Sequence, residues 1–269
     1  MSSLFKLLKL KDYITLIGTV CGLVALMCAV MSASANVDSR ILLSIGFYMI
    51  VISIGTDTLD GYVARKTGTV NEIGKELDSL SDCLTFGIAP SVLIFQAFRT
   101  GSLYDIILAI GCIAFALGAL LRLARFNISS SKGYTGVPTP LSALLMITFF
   151  YCNYFYAVIM GGPGDSGLTH PFPEISVILI PFILIFIGWL NITTYINFGE
   201  KGKGVYIMFM VFAPLAPILG ILGLLSNSVL AAYYYPISWA SFVFFLAIFL
   251  IEIGYFIISL FIKSNKNEK

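Results

Sequence analysis

The sequence predicts an all-α integral membrane protein with eight transmembrane helices. Of the 269 residues, 58% are hydrophobic and only 11% are charged, and the mean hydropathy is +0.95. Soluble domains typically carry about 25% charged residues. Apolar runs of about 20 residues are long enough to cross the hydrocarbon core as helices, and several such runs are present. Together these values exclude an ordinary soluble domain.

Eight apolar runs, each bounded by charged residues, glycine or proline, are the predicted spans. They lie at about 13–35, 41–64, 74–98, 103–126, 138–160, 175–197, 205–225 and 234–262. Aromatic residues at the ends of several runs are typical of the membrane interface. The five cysteines all fall inside apolar runs and form no C-x-x-C pair, so we expect free thiols.

Individual runs have local features that support these boundaries. No small-residue cleavage site follows the first run, so we expect it to be retained as a helix. The second and third runs are interrupted by the polar segment Asp57–Asp82. Pro138 and Pro140 suit the first turn of the fifth helix, where a missing N–H costs no hydrogen bond. The eighth run contains Glu252, for which we expect a polar contact with another helix or subunit.

The basic residues predict the orientation of the chain. With eight spans, only Arg40 and Arg99 of the 16 lysines and arginines fall on one side, which leaves 14 on the other. The loop Gly161–Glu174, on the poorly basic side, contains no basic residue. The positive-inside rule therefore predicts a multi-pass protein of the cell membrane with both termini and the acidic segment in the cytoplasm. We expect no nucleic-acid partner.

The segment Asp57–Asp82 places four aspartates next to hydrocarbon. Residues three or four apart share one face of a helix, so Asp57 and Asp60 line one helix while Asp78 and Asp82 line the next. Four neighbouring carboxylates repel one another unless cations neutralise them. Ligation by oxygen alone favours hard divalent ions, Mg²⁺ or Mn²⁺ with Ca²⁺ as an alternative, and two ions in one site are the economical arrangement.

Small and basic residues flank these acids. Gly61, Ala64 and Gly74 leave room for a bulky ligand, and Arg65 can bind a phosphate with two hydrogen bonds. In the alternative reading, the acids only pair with basic neighbours at a solvated helix end. Three nearby basic residues would then have to satisfy four acids, one of them deep in the membrane. A metal site therefore explains the pattern better.

The spacing resembles the D-x2-D-G-x2-A-R-x8-G-x3-D-x3-D signature of the CDP-alcohol phosphatidyltransferases. Its eight fixed positions are filled by Asp57, Asp60, Gly61, Ala64, Arg65, Gly74, Asp78 and Asp82. Three further segments resemble the phosphatidylserine synthase branch of that family: LDSLSDCLTFGIAP (77–90), LLRLARFN (120–127) and GVPTP (136–140). The departures from that branch, Thr85 for serine and Val137 for leucine, are mild.

The resemblance implies a six-helix catalytic core at about 13–200, with two additional helices at about 205–262, in a single domain of residues 1–269. It also implies transfer of a phosphatidyl group from CDP-diacylglycerol or CDP-archaeol to the hydroxyl of L-serine, with release of CMP. Many members of the family are homodimers, so the expected partners are the CDP-linked lipid, serine, membrane lipids and a second copy of the chain.

The same resemblance assigns roles to the candidate residues. Two divalent cations are held by Asp57, Asp60, Asp78 and Asp82, and Asp82 is also the base that takes the hydroxyl proton. The CDP-lipid is bordered by Asp60, Gly61, Ala64, Arg65 and Gly74. We expect the acceptor to bind at the end of the fourth span, where guanidinium groups suit a carboxylate, at Arg122, Arg125 and Asn127. Positive-inside anchoring is the alternative role of the two arginines.

Two other functions remain open from the sequence. The acceptor could be a glycerol phosphate or an inositol phosphate instead of serine, and Arg122 and Arg125 could serve such a substrate. Aspartates within the membrane also occur in ion-coupled transporters. Against transport, no inverted repeat is visible and the acids lie at one face of the membrane.

Overall fold

The computed structural model describes residues 8–34, 39–68, 72–128, 134–162, 165–195, 197–198 and 234–264. Almost all of these residues are helical. The helices are α1 (Leu10–Ser32), α2 (Ser39–Thr67), α3 (Glu72–Asp82), α4 (Ala89–Phe98), α5 (Tyr104–Ile128), α6 (Thr139–Gly161), α7 (Asp165–Thr169), α8 (Glu174–Ile192) and α9 (Tyr234–Ser264). Between α3 and α4, Cys83–Ile88 forms a π-helical turn.

Seven segments of the described residues are long and apolar enough to cross a membrane, and one of them, Glu72–Phe98, combines α3, the π-helical turn and α4. These segments correspond to seven of the eight predicted runs. The predicted span at 205–225 lies outside the described residues. The prediction of an all-α, multi-pass membrane protein is confirmed, and all five cysteines are free, as expected.

One small β-pairing was not predicted. Strand β1 (Tyr134–Thr135) pairs antiparallel with β2 (Asn197–Phe198). Next to this pair, the backbone N–H of Val137 donates to the carbonyl of Leu190 at 3.1 Å. The segment that precedes α6 is therefore joined to the end of α8.

Helix α6 is at the centre of the fold. It is apolar on every side, which is typical of a helix surrounded by others, and 19 of its 23 residues are buried. It begins at Thr139, with Pro138 as its N-cap, as the prolines predicted. Aromatic rings fill its contacts: Phe150 stacks on Phe47 of α2 at 4.3 Å, and Tyr151 stacks on Phe245 of α9 at 4.7 Å.

Glycines allow two pairs of helices to approach closely. On α5, a Cβ at Gly118 would lie 2.3 Å from the carbonyl oxygen of Gly188 on α8. On α1, a Cβ at Gly22 would lie 2.3 Å from Thr85 Cγ2 in the π-helical turn. Close backbone approach of this kind is how small residues pack membrane helices. As a result, α1 lies directly against the helices that carry the aspartates.

Candidate active site

Three of the four predicted metal ligands converge. Asp57 and Asp60 lie in the last three turns of α2, and Asp78 lies in α3. Each offers one carboxylate oxygen, and these three oxygens lie within 4.8 Å of one another. The fixed spacing of the acids explains this arrangement, because each pair is three or four residues apart on its own helix. The two acidic faces therefore meet between α2 and α3.

Asp82 lies at the end of α3, where the π-helical turn begins. It lines the same recess as Asp57, Asp60 and Asp78. Among the described side chains, Asp82 is not part of the group whose oxygens lie within 4.8 Å of one another. Its charge is close enough to interact with those of Asp57 and Asp78.

The π-helical turn is an unpredicted feature of the site. The backbone N–H of Ala89 donates to the carbonyl of Leu84, five residues earlier. Thr85 and Phe86 in this turn line the recess next to Asp82. Turns of this type are rare and often occur at functional sites, because the extra residue changes the direction of the side chains around it.

Basic side chains neutralise only part of the acidic charge. Lys11 is close enough to interact with Asp60 and Asp78, but it also pairs with Asp12 at 2.9 Å. Arg122 interacts with Asp57 and Asp82. In the described part of the chain, the two basic side chains Lys11 and Arg122 thus interact, between them, with five carboxyl groups: the four aspartates of the recess and Asp12.

The recess therefore contains more carboxyl groups than these two basic side chains can neutralise, and its ionisable lining residues are all aspartates. Carboxylate oxygens are the donors that hard divalent cations prefer, and three of them are already within reach of one ion. The residues present therefore fit a divalent metal ion.

Helix α1 supplies polar groups that the sequence reasoning missed. The hydroxyl of Thr15 donates to Asp60 Oδ2 at 2.6 Å, and the hydroxyl of Thr19 donates to Ser81 Oγ at 2.8 Å. Both threonines precede the signature by about 40 residues in the sequence. One signal could have indicated them: Thr15, Gly18, Thr19 and Gly22 recur every three or four residues in an otherwise apolar run, which places small and polar groups on one face.

Of the residues expected to border the CDP-lipid, Asp60 lines the recess, and the other four are not among its lining residues. Gly61, Ala64 and Arg65 follow the first two aspartates on α2, and Gly74 is buried on α3. The exposed Arg65 lies near Gly61, since a Cβ there would be 3.5 Å from Arg65 Nη1. The guanidinium is therefore available at the edge of the recess.

The three expected acceptor residues have different surroundings. Arg122 is buried, and its Nη1 donates to Thr139 Oγ1 of α6 at 3.2 Å. Arg125 is half-buried, and its Nη1 has no hydrogen-bond partner among the described residues. Asn127 Oδ1 accepts from Ser79 Oγ at 3.0 Å, and its carbonyl accepts from Lys75 Nζ at 3.1 Å. Asn127 thus joins the end of α5 to α3, a contact that the sequence did not indicate.

Comparison with known proteins identifies relatives across this region. The family model of the CDP-alcohol phosphatidyltransferases matches residues 9–189, a range that includes every candidate site residue. The chain is 38% identical over 177 residues to CDP-diacylglycerol–serine O-phosphatidyltransferase of Methanocaldococcus jannaschii, covering 64% of this chain and 78% of that protein.

Two further relatives have related names. The chain is 31% identical over 160 residues to CDP-diacylglycerol–serine O-phosphatidyltransferase of Bacillus subtilis, covering 58% of this chain and 82% of that protein. It is also 39% identical over 113 residues to archaetidylserine synthase of Methanothermobacter thermautotrophicus, covering 40% of this chain and 47% of that protein.

Proposed function

The chain belongs to the CDP-alcohol phosphatidyltransferase family, and from this membership we propose that it transfers a phosphatidyl group from a CDP-linked lipid to the hydroxyl of serine, with release of CMP. The observation that carries the proposal is the convergence of Asp57, Asp60 and Asp78, within the matched range, in a site that fits a divalent metal ion. The acceptor is inferred from the relatives, whose names specify serine or archaetidylserine.

We propose that two divalent cations, Mg²⁺ or Mn²⁺ with Ca²⁺ as the alternative, are held by Asp57, Asp60, Asp78 and Asp82. When bound, such ions neutralise the pyrophosphate of the CDP-lipid and stabilise the negative charge that develops on the departing phosphate. The support for this assignment is the carboxylate donor set and the incomplete neutralisation of the recess by Lys11 and Arg122.

In this mechanism, Asp82 takes the proton from the serine hydroxyl as the oxygen attacks the phosphorus that bears the lipid. A new bond forms between serine and that phosphorus, and the bond from phosphorus to the oxygen of CMP breaks. No covalent intermediate with the protein is needed. Asp82 suits this role because it lines the recess but lies apart from the three converging oxygens.

The flanking residues would bind the two substrates. Gly61, Ala64 and Gly74 leave the helix backbones accessible to the nucleotide, and Arg65 at the edge of the recess can form two hydrogen bonds with a phosphate. On the α5 side, Arg122 and Arg125 would bind the carboxylate of serine. Asn127 belongs to the same acceptor region, where it also holds α5 against α3.

We further propose that the protein is a homodimer, as many members of the family are. We place it in the cell membrane with its termini and active site in the cytoplasm, an orientation that the 14 basic residues on one side support. The proposal includes a single domain with a catalytic core at about 13–200 and two additional helices at about 205–262, and the family match over residues 9–189 supports the extent of the core. Apolar helix surfaces can accept either diacylglycerol or archaeol chains, so both CDP-lipids are candidate substrates.

A product assay tests the proposal. Purified protein in detergent is incubated with CDP-diacylglycerol or CDP-archaeol and radiolabelled serine, with Mg²⁺, Mn²⁺ or EDTA. We expect a labelled lipid and an equal amount of CMP when a metal ion is present, and neither product with EDTA. Formation of a lipid product from glycerol phosphate or inositol phosphate, but not from serine, would contradict the acceptor assignment. Absence of CMP release with every acceptor would contradict the enzyme class and leave transport as the function to test.

A further inference from the structure

Thr15 contacts the acidic recess from α1, a helix that carries none of the eight signature residues. Its hydroxyl donates to Asp60 Oδ2 at 2.6 Å. Both side chains are buried, with exposed fractions of 5% and 7%. Hydrogen bonds to carboxylates are shorter and stronger than those between neutral groups. The contact therefore fixes the orientation of the Asp60 carboxylate from a neighbouring helix.

A second acceptor competes for the same proton. Thr15 Oγ1 also lies 3.2 Å from the carbonyl oxygen of Lys11 on its own helix. A hydroxyl donates only one proton, and both the shorter distance and the charge of the carboxylate favour Asp60. Thr58 on α2 shows the more common arrangement, because its hydroxyl donates to its own helix at Ile54 O, at 2.9 Å. Thr15 is directed instead to the active-site acid.

Close packing holds Thr15 in this position. One turn further along α1, a Cβ at Gly18 would lie 2.5 Å from Thr56 Oγ1 of α2. The hydroxyl of Ser53, also on α2, donates to the carbonyl of Gly18 at 2.8 Å. Because α1 and α2 are in contact at this point, the backbone of Thr15 cannot move away from Asp60 without displacing a helix.

We propose that Thr15 is a positioning residue that holds Asp60 in the orientation required to bind a divalent cation. The inference rests on the proposed role of the aspartates as metal ligands. One oxygen of Asp60 accepts the hydroxyl proton, which restricts rotation of the carboxylate before a cation arrives. Groups that orient metal ligands in this way typically contribute about 10–100-fold to metal affinity or activity.

Mn²⁺ binding to the purified protein tests this inference directly, with free Mn²⁺ measured by electron paramagnetic resonance. Thr15→Val keeps the shape of the side chain but removes the hydroxyl, so we expect its dissociation constant for Mn²⁺ to rise about 10–100-fold. Thr15→Ser retains the hydroxyl and should bind Mn²⁺ like the wild-type protein. Thr58→Val is the matched control, because it removes a hydroxyl whose hydrogen bond among the described residues is to Ile54 O within α2, and it should also bind like the wild type.

Two further variants distinguish the loss of the hydroxyl from a packing defect in Thr15→Val. Thr15→Cys is no larger than threonine and carries only a weak donor, so it should also weaken Mn²⁺ binding. In an Asp60→Asn background, Thr15→Val should cause no additional weakening, because the two residues act through one ligand. Wild-type Mn²⁺ binding by Thr15→Val and Thr15→Cys would overturn the inference, as would equal weakening by Thr58→Val. The assay uses no serine and no CDP-lipid, so its outcome is separate from that of the product assay.

Discussion

The carboxylate of Glu252, fully buried on α9, accepts a hydrogen bond of 2.9 Å from the hydroxyl of Thr148 on α6. This is the helix contact expected for a carboxylate in the last apolar run. It joins α9, which lies beyond the range matched by the family, to the most buried helix of the fold. Glu252 therefore has a structural role, remote in the chain from the acidic signature.

We expect Glu252→Ala to destabilise the protein, because it removes a buried hydrogen bond and leaves a cavity between α6 and α9. A loss of about 2 kcal/mol would lower the apparent unfolding temperature by roughly 4–8 °C. Glu252→Gln keeps the shape and a hydrogen-bonding oxygen, so its unfolding temperature should stay close to that of the wild type. Thermal unfolding in detergent measures both. Equal losses in the two variants would show that the hydrogen bond does not hold α9 in place.

Substitution of the proposed base should separate binding from chemistry. We expect Asp82→Asn to lower kcat about 10²–10⁴-fold, because an amide cannot accept the hydroxyl proton, while the dissociation constant for CDP-lipid changes little. Turnover of radiolabelled serine and equilibrium binding of CDP-lipid measure the two effects. Asp105→Asn is a suitable control, since the hydrogen bonds of Asp105 among the described residues are to the turn at Thr100 and Gly101. Turnover by Asp82→Asn near the wild-type rate would remove Asp82 from the base role.

The acceptor pocket can be tested at Arg125. Its Nη1 has no hydrogen-bond partner within the described ranges, so Arg125→Gln should disturb the protein little. If the guanidinium binds the carboxylate of serine, we expect KM for serine to rise about 10–100-fold, and KM for CDP-lipid to change little. The control is Arg99→Gln, at the opposite end of the helices, where Arg99 Nη2 donates to Ala33 O. An unchanged KM for serine would assign Arg125 to membrane anchoring.

The contact between α5 and α8 leaves no room for a side chain at Gly118. A Cβ there would lie 2.3 Å from a backbone oxygen of Gly188, and a backbone atom cannot turn aside as a flexible side chain can. We expect Gly118→Ala to cost about 1–3 kcal/mol and to lower the unfolding temperature in detergent. For Gly254→Ala we expect no loss, because no atom among those described lies within 4 Å of the new Cβ. A stable Gly118→Ala variant would contradict the close approach of these helices.

The spans and the acidic site could be predicted because each depends on a local pattern. Long apolar runs predict transmembrane helices, and seven of them are observed in the described residues. The spacing of Asp57 and Asp60, and that of Asp78 and Asp82, predicts two acidic helix faces. Only the meeting of those faces required tertiary structure.

Other features depend on how helices pack, which hydropathy does not encode. The bond from Thr15 to Asp60 joins residues 45 positions apart, and it forms because Gly18 lets α1 approach α2. The contact between Asn127 and Ser79 similarly depends on how α5 and α3 are placed. The π-helical turn at Cys83–Ile88 reflects a shift in backbone hydrogen bonding that the side-chain pattern does not indicate.

Anomalous diffraction from crystals grown with Mn²⁺ and CDP-lipid tests the proposed metal site, because it locates the metal ions themselves. We expect two Mn²⁺ peaks in the recess between α2 and α3, contacted by Asp57, Asp60, Asp78 and Asp82. A recess without a Mn²⁺ peak, or ions bound away from these four carboxylates, would contradict the account.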